Sequence, residues 1–527
     1  MHASSLTDTL RSAWRRHGYW AVPVALGLLL PALIFGLLPL LGVETLARLL
    51  RFPRFFLLMG GVVGLVGYIS YFRAIQQRPH WLAFFIVMGW GLLEYGNNLL
   101  LGMGVNIRYS PLIMVIFVLP ALVIIWRHRL TLWRHTPHFR FYLFFFVWLL
   151  TYYFFYNSHA TDPQMMAGEG GGLLSDGSVA SVQLTAYLYC LLSMGVASVA
   201  MLIQSRPRAY FDALNKGLLI VSSLTALYAI LGYPVMLTSI MLDGFQRATG
   251  LFNHPNPFSH HMGLLMIYLF GVALYYQGEN HGRVSGWLMV TAILLNLIAF
   301  LLGLSKTAIG VFALSMALLT VLNLSSPIVR RHLPRALAAL VILLPLGAFL
   351  YATITGTSFT EILEARLEAK ESLDWRVETW NYLISNISGW WIFIGHGFTD
   401  ANAWVYQLTY NNKTNAQPLM MVHNGYIALL YDLGVMGYLM FAAVLALAWR
   451  AFRLMSARIC EPENRPLLAT ALAMALYFMV VCGFDEMTYM FDAPILFWTL
   501  ASTLVTLAWR LSSLSDEHPD TASSGAI

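Results

Sequence analysis

Arg247, Arg376 and His423 are the residue types that chemistry on a phosphorylated donor requires. A guanidinium is planar, stays charged in a poorly solvated site, and matches diphosphate oxygens with its donor fork. An imidazole takes or gives a proton near neutral pH. Together they could stabilise a phosphate leaving group while a proton is taken up or given nearby. Arg247 belongs to Gln246-Arg247-Ala248-Thr249-Gly250-Leu251-Phe252-Asn253-His254-Pro255-Asn256-Pro257, ahead of an apolar run that opens with Ser259, His260 and His261. The two prolines favour a turn before a helix, whose first amides could receive an anion. Arg376 lies in Asp374-Trp375-Arg376-Val377-Glu378-Thr379-Trp380, and His423 in Val422-His423-Asn424-Gly425-Tyr426. Each has a plainer reading alone. Arg247 could snorkel to headgroups, Arg376 could pair with Glu378 or Asp374, and His423 could be an interfacial hydrogen-bonder. A helix N-terminus and nearby arginines disfavour the imidazolium, which would leave His423 neutral, as a base must be.

The elements that position these residues follow from composition. Of 527 residues, 58% are hydrophobic and 11% charged, and the mean hydropathy is +0.66. Soluble domains carry about 25% charged residues, so a water-soluble enzyme is excluded, and 14% aromatics exclude a disordered chain. The expected fold is an all-α polytopic membrane protein. Apolar runs of spanning length, about 20 residues, recur between residues 20 and 509. They predict about 14 transmembrane helices, or 12–14 when the two tightest are discounted.

The net charge of +6 comes from short basic clusters between these runs, which is a topology signal rather than a nucleic-acid stripe. With the N-terminus inside, 21 of the 31 Lys and Arg fall in inner segments. Both termini are thus expected in the cytoplasm and the three polar sites outside it. Arg48, Arg51 and Arg54, in the first outer loop, run against the bias. The organisation read from the chain has six parts. Residues 1–19 form a cytoplasmic tail, 20–214 an N-terminal bundle of about six spans, and 215–355 central spans with the arginine and His-Pro-Asn segment. Residues 356–423 form a large outer loop, 424–509 the last spans, and 510–527 a disordered cytoplasmic tail. Residues 157–179 read as a flexible acidic loop. Ser358 and Glu361 fit a capping box, and a second loop helix is expected from Asp374, with Arg376, Trp380 and Leu383 on one face.

Other polar positions carry less. Glu94, Asn97 and Asn98 share one span and fit a helix–helix contact. Asp485 and Glu486 occupy a short outer turn and could meet substrate hydroxyls or solvate the turn. Cys190, Cys460 and Cys482 suggest neither a disulfide framework nor a zinc site. No D-x-D in an outer loop, no H-E-x-x-H and no Walker A sequence occurs, so neither a metal nor a nucleotide cofactor is expected.

At these residues the chain resembles the O-antigen ligase and polymerase superfamily, bacterial inner-membrane enzymes that move glycans from undecaprenyl diphosphate on the periplasmic side. The resemblance covers roughly 215–449. It rests on Arg247 with Gly250-Leu251-Phe252 and His254-Pro255-Asn256, on Leu304-Ser305-Lys306-Thr307-Ala308, and on Arg376 with Trp380. Gly395-His396-Gly397, His423-Asn424-Gly425-Tyr426 and Leu433-Gly434-Val435-Met436-Gly437 complete it. It implies a GT-C-like fold with a large helical periplasmic loop, and an inverting, metal-independent glycosyltransferase without cofactors. In the family pattern two arginines hold the lipid diphosphate and a histidine activates the acceptor, roles that map onto Arg247, Arg376 and His423. Asn256, Lys306, Trp380, Asn424 and Tyr426 are the expected substrate-binding residues around them. The implied partners are an undecaprenyl-diphosphate-linked glycan, an acceptor glycan lipid, membrane lipids and, for a polymerase, a chain-length regulator; nucleic acid is not among them. Two departures stand out. Family ligases have about twelve spans, leaving the extra N-terminal ones without a role, and Asp432 stands where Glu is common.

The acceptor stays open at this level. A polymerase extends a lipid-linked repeat, a ligase transfers to lipid A-core, and a protein O-oligosaccharyltransferase to Ser or Thr. The Ser-Lys-Thr-Ala and His-Asn-Gly-Tyr stretches lean slightly to exopolysaccharide polymerases. A flippase would use Glu94 as a coupling group but should show several mid-membrane polar clusters or repeats. A structural scaffold explains neither the loop nor the arginines.

Overall fold

The computed structural model describes residues 121–156, 178–242, 245–252, 254–278, 286–327, 329–331, 371–398, 401, 422–456, 462–485 and 492–517. The four expected spans before residue 121, apart from the helical 121–127, lie outside the described residues. So do the acidic loop at 157–177, the span at 335–355, the capping box at Ser358 and Glu361, the Glu94 cluster, Glu486 and Cys460.

In chain order the helices are α1 (Arg129–His135), α2 (Pro137–Tyr156), α3 (Ser178–Ile203) and α4 (Pro207–Gly232), followed by strands β1 (Ser239–Leu242) and β2 (Phe245–Ala248). Then come α5 (Pro255–Gly278), α6 (Gly286–Leu302), α7 (Lys306–Leu322), α8 (Glu371–Asn386) and α9 (Trp391–Ile394). α10 (Gly425–Leu433) passes through a 3-10 turn, Gly434–Tyr438, into α11 (Leu439–Ser456), and α12 (Arg465–Cys482) and α13 (Asp492–Glu517) close the chain. Among the described residues, 6 helices are long and apolar enough to cross a membrane: α3 in part, α4, α5, the continuous Gly425–Ser456 unit, α12 with its preceding turn, and α13 in part. α6 and α7 are shorter apolar helices.

The starts of these helices are written locally. Pro207, Pro255 and Pro466 sit in first turns, where the missing N–H costs nothing. Ser305 caps α7 by accepting from the Ala308 N–H at 3.4 Å, and Asn424 caps α10 by accepting from Tyr426 N at 3.0 Å and Ile427 N at 3.1 Å. α5 is the hub, packed against α6, α7, α12 and α13, while α12 also meets α7 and α11. Small residues permit the closest approach: a Cβ on Gly271 would overlap Thr470, and one on Gly263 would come within 2.6 Å of the Tyr477 hydroxyl. In a bilayer, where lipid is as apolar as a side chain, such close packing drives helix association.

Four expectations are corrected. The chain is not purely helical, since Ser239–Leu242 and Phe245–Ala248 form an antiparallel hairpin with Ile240 opposite Arg247. The boundary at 214/215 falls inside α4, because Pro207 starts that helix eight residues ahead of the apolar run. The loop helix begins at Glu371 rather than Asp374. The last helix runs to Glu517, past the disordered tail expected from 510, because nothing in Ser512-Ser513-Leu514 breaks it.

Candidate functional site

His423 has φ +54°, a left-handed backbone for a residue with a side chain. Histidine is among the residues that tolerate this region, and strain of this kind gathers at functional positions. Asn424 fixes the geometry from the next position, because its oxygen caps α10 while its amide donates to the Gly483 carbonyl at 3.1 Å. That second bond ties the start of α10 to the turn after α12. The same turn carries Asp485, which is 2% exposed.

Asp485 joins two imidazoles. Its Oδ1 lies 3.0 Å from His423 Nδ1 and its Oδ2 lies 3.0 Å from His260 Nε2. His260 is fully buried in the second turn of α5, and its Nδ1 lies 3.2 Å from the Tyr477 hydroxyl of α12. Burial acts to raise the Asp485 carboxyl, but the hydrogen bonds from His260 and His423 outweigh it and hold the group below the usual carboxylate range. An ionised carboxylate only accepts, so both facing ring nitrogens carry protons. With neutral rings, Tyr477 donates to His260 Nδ1, His260 Nε2–H and His423 Nδ1–H donate to Asp485, and His423 Nε2 bears the basic lone pair. The carboxylate was absent from the sequence-level picture of His423, in which only positive charges acted on the ring.

Arg247 is 3% exposed. Strand alternation separates its side chain from that of Gln246. Gln246 faces the end of α4 and donates to the Tyr233 carbonyl and to Ser239 Oγ, so it pins the hairpin to that helix. Arg247 reaches the other way, donating from Nε to the Gly303 carbonyl at 3.1 Å and from Nη2 to Asn256 Oδ1 at 2.8 Å. Its plane is thus set between the turn that joins α6 to α7 and the first turn of α5. Asn256 and His260 are one helical turn apart on α5, their Cβ atoms about 5–6 Å from each other. The arginine and the two-histidine carboxylate therefore share one end of the same helix.

Arg376 arrives from the loop. Trp380, one turn further along α8, donates its indole N–H to the Val422 carbonyl at 2.8 Å, and Thr379 and Leu383 are buried beside it. Arg376 is half-buried on the same stripe, which brings α8 against the residue preceding His423. α9 is held to this region through Gly395, where a Cβ would overlap the Asp432 backbone, and through Tyr152 of α2, which donates to the Gly395 carbonyl at 2.8 Å. Burial between the rings of Trp391 and Tyr431 pushes the His396 imidazole down. Asp432 accepts from the Ala401 N–H at 2.8 Å and ties the loop to α10.

The other expected residues divide by their partners. Asn256 holds Arg247. Trp380 holds the carbonyl of Val422, just before His423. Asn424 uses both ends of its amide within the protein. Tyr426 donates its hydroxyl to the Met479 carbonyl at 2.6 Å. These four side chains are engaged within the protein and help to position the site. Lys306 is exposed on the first turn of α7, three residues from Gly303. Asp485 and His260 are the residues that sequence reasoning missed as partners of His423. Among the described residues no group of three or more His, Cys, Asp or Glu is placed to hold a metal ion.

A helical membrane bundle with a carboxylate-oriented imidazole and a buried guanidinium at one end is a multi-pass membrane protein with a polar acid–base site. Residues 291–442 match the family described as O-Antigen ligase, a similarity that supports a likeness to the O-antigen ligase and polymerase superfamily. The match indicates an O-antigen ligase/polymerase-like membrane enzyme. It includes Arg376, His423 and Asp432, and excludes Arg247, His260 and Asp485. No curated protein matches the chain.

Proposed function

We propose that this protein transfers a glycan from undecaprenyl diphosphate to an acceptor hydroxyl on the periplasmic face of the bacterial inner membrane, most simply by adding lipid-linked repeats to a growing polysaccharide. The observation that carries the reading is the Tyr477–His260–Asp485–His423 chain, which leaves His423 Nε2 as the basic nitrogen at the loop end of the bundle. His423 takes the proton of the acceptor hydroxyl as that oxygen attacks the anomeric carbon from the face opposite the diphosphate. The carbon–oxygen bond to the diphosphate breaks with inversion, and the electron pair leaves on a phosphate oxygen stabilised by Arg247 and Arg376. Asp485 fixes the tautomer and stabilises the imidazolium that forms, as a triad carboxylate does. The step is metal-independent and needs no cofactor. Around it we place the fuller arrangement of about 14 spans, GT-C-like and with both termini in the cytoplasm.

The test is the product made by purified protein from a lipid-linked repeat, with and without lipid A-core. Long lipid-linked chains without core identify a polymerase; transfer only when core is present identifies a ligase. Unaltered product from His423→Ala would refute the mechanism.

A further inference from the structure

Arg134, Arg140, Arg450 and Arg453 are read from sequence as loop charges that set topology. The structure draws all four into one cavity of about 660 Å³, with Trp449 and Trp509 among its walls and, among the described residues, no Asp or Glu. Tyr152, twelve residues along α2 from Arg140, reaches the loop side at Gly395, and twelve helical residues span about 18 Å. Arg450 lies eleven residues along α11 from Leu439, about 17 Å of helix, toward the end remote from α10. The cavity therefore sits at the ends of α2 and α11 that lie away from the candidate site, about 18 Å of helix from the level of Gly395.

Its guanidiniums are held by backbone and aromatic faces. Arg140 donates from Nε to the Trp133 carbonyl and from Nη2 to the Arg134 carbonyl at 3.2 Å, with its Cζ 5.3 Å from the Trp133 ring centre. Arg450 Cζ lies 5.6 Å from the centre of the Trp509 ring, on which His135 stacks at 4.4 Å. Topology accounts for positive loops, but loop charges that serve only topology spread into water. Here they converge, and the charge they complement is an anion. Phe141, Leu445 and Trp449 on the rim are exposed large apolar side chains, which suits acyl chains rather than a soluble anion.

We propose that this cavity binds the phosphodiester headgroup of an anionic phospholipid in the leaflet opposite the candidate site. Basic pockets between helices recognise such headgroups, and the volume is that of a ligand pocket. The full chain, purified in a zwitterionic detergent, is titrated with phosphatidylglycerol or phosphatidylcholine and retained lipid is counted by native mass spectrometry. Phosphatidylglycerol should be retained about tenfold over phosphatidylcholine, a preference that the Arg140→Gln/Arg450→Gln double variant loses, since each guanidinium contributes attraction of about fivefold at such a surface. Millimolar inorganic phosphate should not displace it. Equal retention of the two lipids, undiminished preference in the double variant, or displacement by phosphate alone would overturn the proposal. The exposed pair Arg134→Gln/Arg453→Gln gives the same reading should the half-buried pair fail to fold.

Discussion

Asp485→Asn is the sharpest perturbation, because it keeps the shape of the side chain and removes only its charge. In the native protein the carboxylate lies 3.0 Å from both His423 Nδ1 and His260 Nε2. An asparagine can accept from one ring and must donate to the other. Directing its oxygen to His423 leaves that tautomer intact, and the amide then forces His260 to carry its proton on Nδ1, where the Tyr477 hydroxyl reverses to accept it. The ground state thus survives, but the imidazolium formed in the reaction faces a neutral amide. Unit charges about 4 Å apart at an effective dielectric of 20 attract by about 4 kcal/mol, which corresponds to about a 10³-fold loss in kcat. KM should stay within about threefold, since substrate binding does not require the charge. The assay is turnover of a lipid-diphosphate-linked repeat by purified protein, with circular dichroism as the control for folding. His423→Ala combined with Asp485→Asn should be little worse than His423→Ala alone, because the residues act as a unit. A variant that retains kcat within threefold, while His423→Ala abolishes turnover, would show that the carboxylate plays no part in the proton transfer.

Four further outcomes follow from particular contacts. Arg247→Lys puts a point charge where a fork meets the Gly303 and Asn256 oxygens at once, so turnover should fall about 10–100-fold, with lipid-linked donor accumulating in cells; wild-type polymer would count against a bound diphosphate there. Gly263→Ala pushes against the Tyr477 hydroxyl and should cost about 1–3 kcal/mol in thermal unfolding. Gly395→Ala adds a side chain at φ +73° against the Asp432 backbone and should destabilise by about 1–3 kcal/mol, read as earlier proteolysis of the loop. The depressed Asp485 carboxyl predicts a stability contribution that is complete above about pH 4, the unfolded aspartate value, and is lost only as pH falls through its lower folded value. Asp485→Asn should lose that acid limb, and parallel unfolding curves of variant and wild type would contradict it.

Most spans from α2 onward were legible, because a run of about 20 apolar residues has few other fates. Arg247, Arg376 and His423 were legible as types that lipid exposes at a cost. The hairpin that carries Arg247 is hidden in the sequence because the apolar run of α4 obscures where the helix stops. Its signal was Asp243-Gly244 between Leu242 and Phe245, a pair favoured in two-residue turns. The pairing of His423 with Asp485 and His260 had no local signal at all: the partners are 62 and 225 residues apart in chain pairs and meet only because α5 and α12 pack through glycine. The internal roles of Asn424 and Tyr426 had no local signal for a related reason. A polar residue beside a site residue looks like a ligand until its own hydrogen bonds are followed into the neighbouring helix.

Because the counter-charge of His423 is carried on the turn that follows α12, the ribosome delivers the base well before the residue that orients it. During membrane insertion the nascent chain holds Arg247, Arg376 and His423 in an incomplete constellation until the last described pair of helices enters the bilayer. A nonsense mutation anywhere beyond Ser456 and ahead of Asp485 would thus yield a protein that still resembles the family across its matched segment, yet lacks the anion that faces His423 and His260.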